Sequence, residues 1–302
     1  MELWIPISIF AAFAQNLRFM LQKHLKATRL STAGATFSRF VFAAPIALLM
    51  VAFLISADLR DMPGVPLGFY LYASVGGVGQ ILATACVVAL FAARNFTVGI
   101  TLKKTETIQT AILALIVLGE VISAWGLLAI AIGLAGVVLL SDPPDQVEKL
   151  PWRDRLFNKA SGLGLLSGAL FGVSATGYRG ASLSLSDGDF LIRAFVTLAF
   201  VTVFQSLVMG AWLMWRDRAE FVKVFRAWRV TALVGLTGVL GSAGWFMAFT
   251  LQNAAYVKAL GQIELVFTFL ASWLVFREKS SRREVMGIAL VVASILVLIL
   301  AL

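Results

Sequence analysis

Residues 95–120 read NFTVGITLKKTETIQTAILALIVLGE, and residues 253–278 read NAAYVKALGQIELVFTFLASWLVFRE. An offset of 158 residues lays Asn95 on Asn253, Glu106 on Glu264 and Glu120 on Glu278, and it carries Phe91, just upstream, onto Phe249. One asparagine and two glutamates at fixed spacing, set in otherwise apolar sequence, mark an internal duplication. Each copy holds an apolar run of about 20 residues, long enough to cross the roughly 30 Å hydrocarbon core of a bilayer.

The same signal recurs from one end of the chain to the other. Apolar runs between charged or Gly/Pro breaks give candidate spans at 3–23, 31–56, 66–92, 96–118, 121–140, 161–182, 189–215, 230–251, 254–276 and 285–302. One long polar connector, 141–160, separates a first five-helix unit (1–140) from a second (161–302). An odd number of spans in each unit makes the second enter the membrane in the opposite sense, the inverted-repeat arrangement found in many secondary carriers. The expected fold is therefore an all-α integral membrane protein, with ten transmembrane helices as two inverted five-helix repeats around a central cavity.

Composition excludes a soluble surface. Hydrophobic types make up 60% of the 302 residues and charged types 14%, with a mean hydropathy of +0.91, whereas soluble domains are about half apolar and about a quarter charged. Cys86 is the one cysteine and His24 the one histidine, which rules out an internal disulfide and a His/Cys zinc cluster. No metal and no other cofactor is expected. The net charge of +9 comes from Lys and Arg placed between apolar runs, so it reads as membrane topology and not as a nucleic-acid surface. Met1-Glu2-Leu3 carries no positive charge ahead of the first apolar run, and that run is expected to be a retained span instead of a cleaved signal.

Loops after the odd-numbered spans hold most of the basic residues, among them Lys23, Arg29, Arg94, Arg153, Arg216, Lys223, Arg226 and Arg282, while the opposite loops hold little beyond Arg60 and Arg179. The positive-inside rule then places both termini outside the cytoplasm. The expected location is a bacterial inner (plasma) membrane, crossed many times.

The segment from Asn95 to Leu140 joins a small-residue-rich helix, Gly119-Glu120 at its end, a short turn and a Gly-containing apolar helix. With its second copy, Asn253 to Leu300, and Arg277-Glu278 at the matching break, it resembles the EamA-type transporters of the drug/metabolite transporter superfamily. That resemblance implies ten spans, a central cavity lined chiefly by helices one, three, four, six, eight and nine, and alternating access. Helices four and nine of the family commonly carry a proline where this chain has Thr107 and Leu265, so no proline kink is expected at either place. Family members also often keep both termini in the cytoplasm, opposite to the charge pattern here.

A charge near the bilayer centre costs roughly 2.5–3.5 kcal/mol on insertion scales and usually faces a cavity or a partner. Span four holds Lys103, Lys104 and Glu106, and span nine holds Lys258 and Glu264. Lys103 and Glu106 are three apart and can pair along one helix face. Glu264 has no basic neighbour at that spacing, which leaves another helix, a proton or a substrate as its partner. Glu106 and Glu264 then read as counterparts lining the cavity, at least one exchanging a proton during transport; the plainer reading is a static ion-pair network joining helices four and nine. Arg39 in span two is a candidate for substrate or gate contact, against an inter-helix role. Arg193 has Asp189 four residues before it and is expected to pair there. This interior set carries more positive than negative charge, which favours a substrate bearing a carboxylate or phosphate.

Gln15, Asn16 and Arg18 in span one, with Tyr178 and Arg179 in span six, add polar groups. Gly235, Gly238, Gly241 and Gly244 recur every third residue in span eight and, like Gly76, Gly77 and Gly79, suit close helix packing. Trp245 offers a flat cavity wall, and Pro45 is expected to bend span two. No G-x-x-x-x-G-K-[ST] phosphate loop occurs, so ATP is not the direct energy source. The expectation is a secondary transporter, proton-coupled or exchanging, for a small organic metabolite that is anionic or zwitterionic. Its partners are that substrate and membrane lipids, with no nucleic acid, and the chain is a monomer or weak homo-oligomer. The alternatives are a membrane-embedded lipid or isoprenoid enzyme, for which one histidine is a poor endowment, and a channel or non-transporting scaffold.

Overall fold

The computed structural model describes residues 2–57, 59–90, 102–140, 159–274 and 281–300. The regular elements among them are helices: α1 (Trp4–Thr28), α2 (Thr32–Val41), α3 (Ala43–Ser56), α4 (Leu67–Leu90), α5 (Glu106–Leu118), α6 (Ala124–Leu140), α7 (Lys159–Ser184), α8 (Phe190–Arg216), α9 (Arg218–Arg226), α10 (Trp228–Leu251), α11 (Ala254–Leu260), α12 (Ile263–Leu274) and α13 (Arg282–Leu300). Seven described stretches are long and apolar enough to cross a membrane: α1, α2 together with α3, α4, α7, α8, α10 and α13. They stand where spans one, two, three, six, seven, eight and ten are expected. The shorter apolar helices α5 and α6 occupy the places of spans four and five, and span nine is divided between α11 and α12. Phe91, Asn95, Glu278, residues 96–101 and most of the connector lie outside the described residues.

The surface is apolar as well as the core, and several charges are buried among the apolar interior residues. Phe53, Leu71, Ile116 and Leu207 stand exposed, whereas Arg18, Arg39, Lys103 and Lys104 are buried. Hydrocarbon, not water, is the solvent that suits such a surface.

Three turns, one between α2 and α3, one before α5 and one between α11 and α12, shape the interior. In span two, Pro45 has no N–H to give the Val41 carbonyl, and the helix parts at Phe42, between α2 and α3. Gly235 of α10 receives that break: a Cβ there would run into Phe42. The other two breaks come without proline. Lys104 and Thr105 form a turn just before α5, where Thr105 N–H donates to the Leu102 carbonyl at 3.2 Å and its hydroxyl donates to the same oxygen at 2.6 Å. Gly261 and Gln262 form the counterpart before α12, with Leu265 N–H donating to the Gln262 carbonyl at 2.9 Å. A turn therefore precedes each of these helices although Thr107 and Leu265 stand where the family commonly has proline.

Small residues set the closest helix pairs, which are α4 with α7, α6 with α13 and α1 with α10. A Cβ on Gly136 would lie 2.8 Å from the Gly287 carbonyl oxygen, and one on Gly287 would lie 2.9 Å from that of Gly136. Gly241 and Gly244 of α10 meet the α1 backbone at Gln15 and Ile7 in the same manner. Residues 216–229, a loop in the sequence reading, contain α9, an amphipathic helix whose buried Glu220 accepts from Ser31 N–H at the start of α2.

At the far end of the molecule Asp189 does not pair with Arg193. It caps α8, accepting from Ile192 N–H at 3.1 Å, and its second oxygen takes Arg60 Nε at 2.7 Å. Burial pushes the Asp189 carboxyl up, but the Ile192 amide and the Arg60 guanidinium outweigh it and hold the carboxyl below its ordinary value. Its contribution is thus complete above the ordinary carboxylate range and is lost as pH falls through the lowered value. Asp189→Ala is expected to cost about 1 kcal/mol, as loss of a cap does, and Asp189→Asn far less, because asparagine caps as well. Thermal unfolding at neutral pH tests the pair, and Asp189→Asn is expected also to remove the acid-side loss.

Candidate functional site

The two proline-free breaks meet at the centre of the protein and bring charge with them. Glu106 is the first residue of α5 and Glu264 lies in the first turn of α12, so each carboxylate sits at the positive end of a half-helix. Lys258 occupies the last turn of α11, where a cation is favoured. By helix rise, Glu106 is about 20 Å from the Leu118 end of α5.

Glu106 lies between two lysines, with Lys103 Nζ at 3.4 Å and Lys258 Nζ at 3.5 Å. Glu264 finds its partner on another helix: Lys104 forms an ion pair with it, and Gln15 Nε2 of α1 donates to its second oxygen at 3.1 Å. Trp245 of α10 donates its indole N–H to Gln15 Oε1 at 3.1 Å, which fixes the amide that faces Glu264. Aromatic faces surround the ammonium groups, Phe171 at 5.0 Å from Lys103 Nζ and Trp245 at 5.4 Å from Lys258 Nζ. Gln262 Nε2 reaches Thr107 Oγ1 at 3.3 Å and ties the two breaks together.

Two small cavities open on this cluster. The first is bounded by Gln15, Lys104, Glu106, Lys258, Gln262 and Glu264 among others, and the second by Gln80, Ser174, Tyr178, Ser242, Trp245 and Lys258 among others. Each has a volume of about 10 Å³, room for about one water and far less than a metabolite pocket needs. Trp245 and Lys258 wall both. Tyr178 stacks on Phe246 with centroids 4.3 Å apart and accepts from Gln205 Nε2 at 3.2 Å, which roofs the second cavity.

A family model described as the EamA-like transporter family matches residues 159–300. That match likens the second half of the chain to the EamA-like transporter family. No curated protein sequence matches the chain. A solved structure described as "Crystal structure of protein" superposes on 99% of this chain and 96% of its own with a TM-score of 0.72 at 11% identity, so the two share a fold. The EamA-like half contributes Tyr178, Trp245, Lys258 and Glu264 to the cluster, and the stretch before it contributes Lys103, Lys104 and Glu106.

The other candidates divide by position. Arg39 of α2 is buried and lines neither cavity itself, but it donates to Ser242, which borders the second. Asn16 is half-buried on α1 and lines neither cavity, a place its neighbour Gln15 takes. Arg179 lies away from the centre: it pairs with Glu120 and donates to the Phe249 and Gln252 carbonyls at 2.6 and 2.7 Å, closing the C-terminus of α10 in the EamA-like half. Arg193 and Asp189 leave the interior set too. What remains is Arg18, Arg39, Lys103, Lys104 and Lys258 against Glu106 and Glu264, three positive charges in excess among the described residues. The sequence reading passed over Gln80, Gln205 and Gln262, whose signal was an amide inside an apolar run.

Proposed function

We propose that the protein is a secondary active transporter that moves a small anionic or zwitterionic metabolite by alternating access, coupled to protons or to exchange. The observation that carries this reading is the set of two carboxylates and three lysines gathered at breaks in two membrane helices around an enclosed space. Stability alone is a weak reason to keep such a set, because replacing a buried ion pair by packed apolar groups is often neutral or stabilising. Here the space is small and each glutamate is already paired with lysine, as an occluded carrier between loadings requires. A substrate carboxylate or phosphate entering as the helices part competes for Lys103, Lys104 and Lys258, and the glutamate it displaces takes a proton or is left to gate the return.

Two inverted five-helix repeats fit the packing. Exchanging the halves turns the α1–α10 pair into the α7–α4 pair, maps α6–α13 onto itself, and carries Glu106 onto Glu264. In this reading span four runs from residue 96 and span nine is α11 with α12, which completes ten. Both termini lie outside the cytoplasm, α9 lies on the cytoplasmic face with its basic residues, and the membrane is a bacterial inner membrane.

The test starts from a thermal-shift screen of purified protein for stabilising metabolites and proceeds to flux in proteoliposomes. Glu264→Gln and Lys258→Ala are each expected to cut flux roughly tenfold or more, an effect of about 1.4 kcal/mol on the limiting barrier. A confirmed substrate that moved normally in both variants, with no response to pH, would sink the assignment of the centre.

A further inference from the structure

Arg18 of α1 and Arg39 of α2 are 2% and 3% exposed, and both reach the same point on α10. A Cβ at Gly238 would lie 3.3 Å from Arg39 Cγ and 3.5 Å from Arg18 Cδ. Their acceptors are neutral: Arg39 Nη1 donates to Thr84 Oγ1 at 2.9 Å and Nη2 to Ser242 Oγ at 3.4 Å, and Arg18 Nη1 donates to Gln22 Oε1 at 2.7 Å. Arg18 Nη2 is buried with no acceptor. Among the described residues neither guanidinium has a carboxylate in ion-pair contact, since Glu106 is engaged by Lys103 and Lys258 and Glu264 by Lys104. A guanidinium does not escape this by losing its proton. Two of them buried against one glycine with only hydroxyl and amide acceptors is a costly arrangement, and intramembrane charge of that kind is kept where a ligand supplies the missing partner.

We propose that Arg18 and Arg39 form an oxyanion site for a carboxylate or phosphate group of the transported solute, next to the lysine cluster on the side of the Lys/Arg-rich loops. The proposal rests on the transport reading above and names the group that the path selects. Arg18 lies one helical turn beyond Gln15, about 4.5 Å by helix rise, and Gln15 borders both cavities. Ser242, an acceptor of Arg39, borders the second. Arg18 and Lys103 also share the Phe19 ring, at 4.1 and 5.6 Å from its centroid. Lys258 and Lys103 likewise share the Phe171 ring, at 5.4 and 5.0 Å, so shared aromatic faces link Lys258 through Lys103 to Arg18. A guanidinium fork binds carboxylate or phosphate through paired N–H donors, and Arg18 Nη2 is the donor that stands open.

Full-length protein in a neutral detergent, titrated with inorganic phosphate and with succinate while thermal unfolding is followed, tests this. Either anion is expected to stabilise the protein beyond matched chloride, and Arg60→Gln, a surface change, is expected to keep the response. Arg18→Gln is expected to weaken apparent affinity roughly tenfold or more, as loss of a hydrogen bond to a charged group does. Arg39→Lys keeps the charge, so it guards against a merely unfolded variant, and is expected to lose affinity with the fork geometry. An unchanged response in both Arg variants, or no response to either anion in the wild type, overturns the site and leaves the flux test of the centre untouched. Nanodiscs of neutral or of anionic lipid separate solute from headgroup: a response that anionic lipid abolishes assigns the pair to lipid and overturns the proposal. Anion binding that needs both arginines, beside flux indifferent to Glu264→Gln, keeps this site and sinks the transport reading of the centre.

Discussion

Replacing Lys104 with methionine is expected to destabilise the protein by about 3–5 kcal/mol, the cost of removing one partner from a buried ion pair. The Lys104 and Glu264 side chains are 6% and 13% exposed, so water does little to replace the lost ammonium. Lys258→Ala is expected to cost less, because Glu106 keeps Lys103 at 3.4 Å when its contact to Lys258 at 3.5 Å is gone. Lys104→Met combined with Glu264→Gln is expected to regain most of the loss, since the pair is then replaced by neutral groups and Gln15 retains an acceptor on residue 264. Reversible unfolding in mixed micelles measures the cycle. Flux then separates two readings that stability cannot. A carrier that uses these charges leaves the restabilised double variant at background transport, whereas a girder between spans four and nine leaves it fully active. Full activity in a stable double variant would move the site away from Glu264.

The pairing just described shows where sequence reading stops. Glu106 and Glu264 were legible because a repeat register survives in apolar sequence, where few residues compete for notice. Lys103 was legible as the partner of Glu106, being three residues away on the same helix face. Lys104 was not assigned to Glu264, because its direction depends on a turn at Lys104-Thr105 that has no proline to announce it. That turn is a tertiary event. Gly168 of α7 makes room for it, since a Cβ there would lie 3.0 Å from the Lys103 carbonyl oxygen and 3.3 Å from Glu106 N. The bend of span two was readable from Pro45 because the missing N–H acts locally. Spacing misled at Asp189, where a four-residue interval to Arg193 promised a pair on a helix face. Asp189 precedes the helix and caps it, so its oxygens point at Ile192 N–H and Arg60.

Gly177→Leu is expected to be the most damaging single change at a helix crossing. A Cβ on Gly177 would lie 2.8 Å from the Tyr72 carbonyl oxygen, 2.9 Å from Gly76 Cα and 3.1 Å from Gly76 N. All three are backbone atoms of α4, so no side chain can swing aside, and the whole of α4 must move away from α7. The crossing is tight along its length: a Cβ on Gly76 would meet the Tyr178 ring at 2.9 Å, one on Gly180 the Tyr72 ring at 2.8 Å, and one on Gly79 the Leu170 carbonyl oxygen at 3.0 Å. Overpacking usually costs about 1–3 kcal/mol; Gly177→Ala is expected within that range and Gly177→Leu above it. Gly162 of the same helix gives the control, because nothing lies within 4 Å of a Cβ there, and Gly162→Ala is expected to be neutral or to stabilise by about 0.5–1 kcal/mol. The neighbouring Tyr178 adds a functional consequence. It stacks on Phe246 and takes a hydrogen bond from Gln205, which also holds the Gly77 carbonyl of α4 at 3.0 Å. Parting α4 from α7 therefore disturbs the roof of the second cavity as well as the crossing. Gly177→Ala is expected to lose flux out of proportion to its loss of stability, read as transport per folded molecule; a fall in stability with unchanged flux per folded molecule would make the crossing a scaffold only.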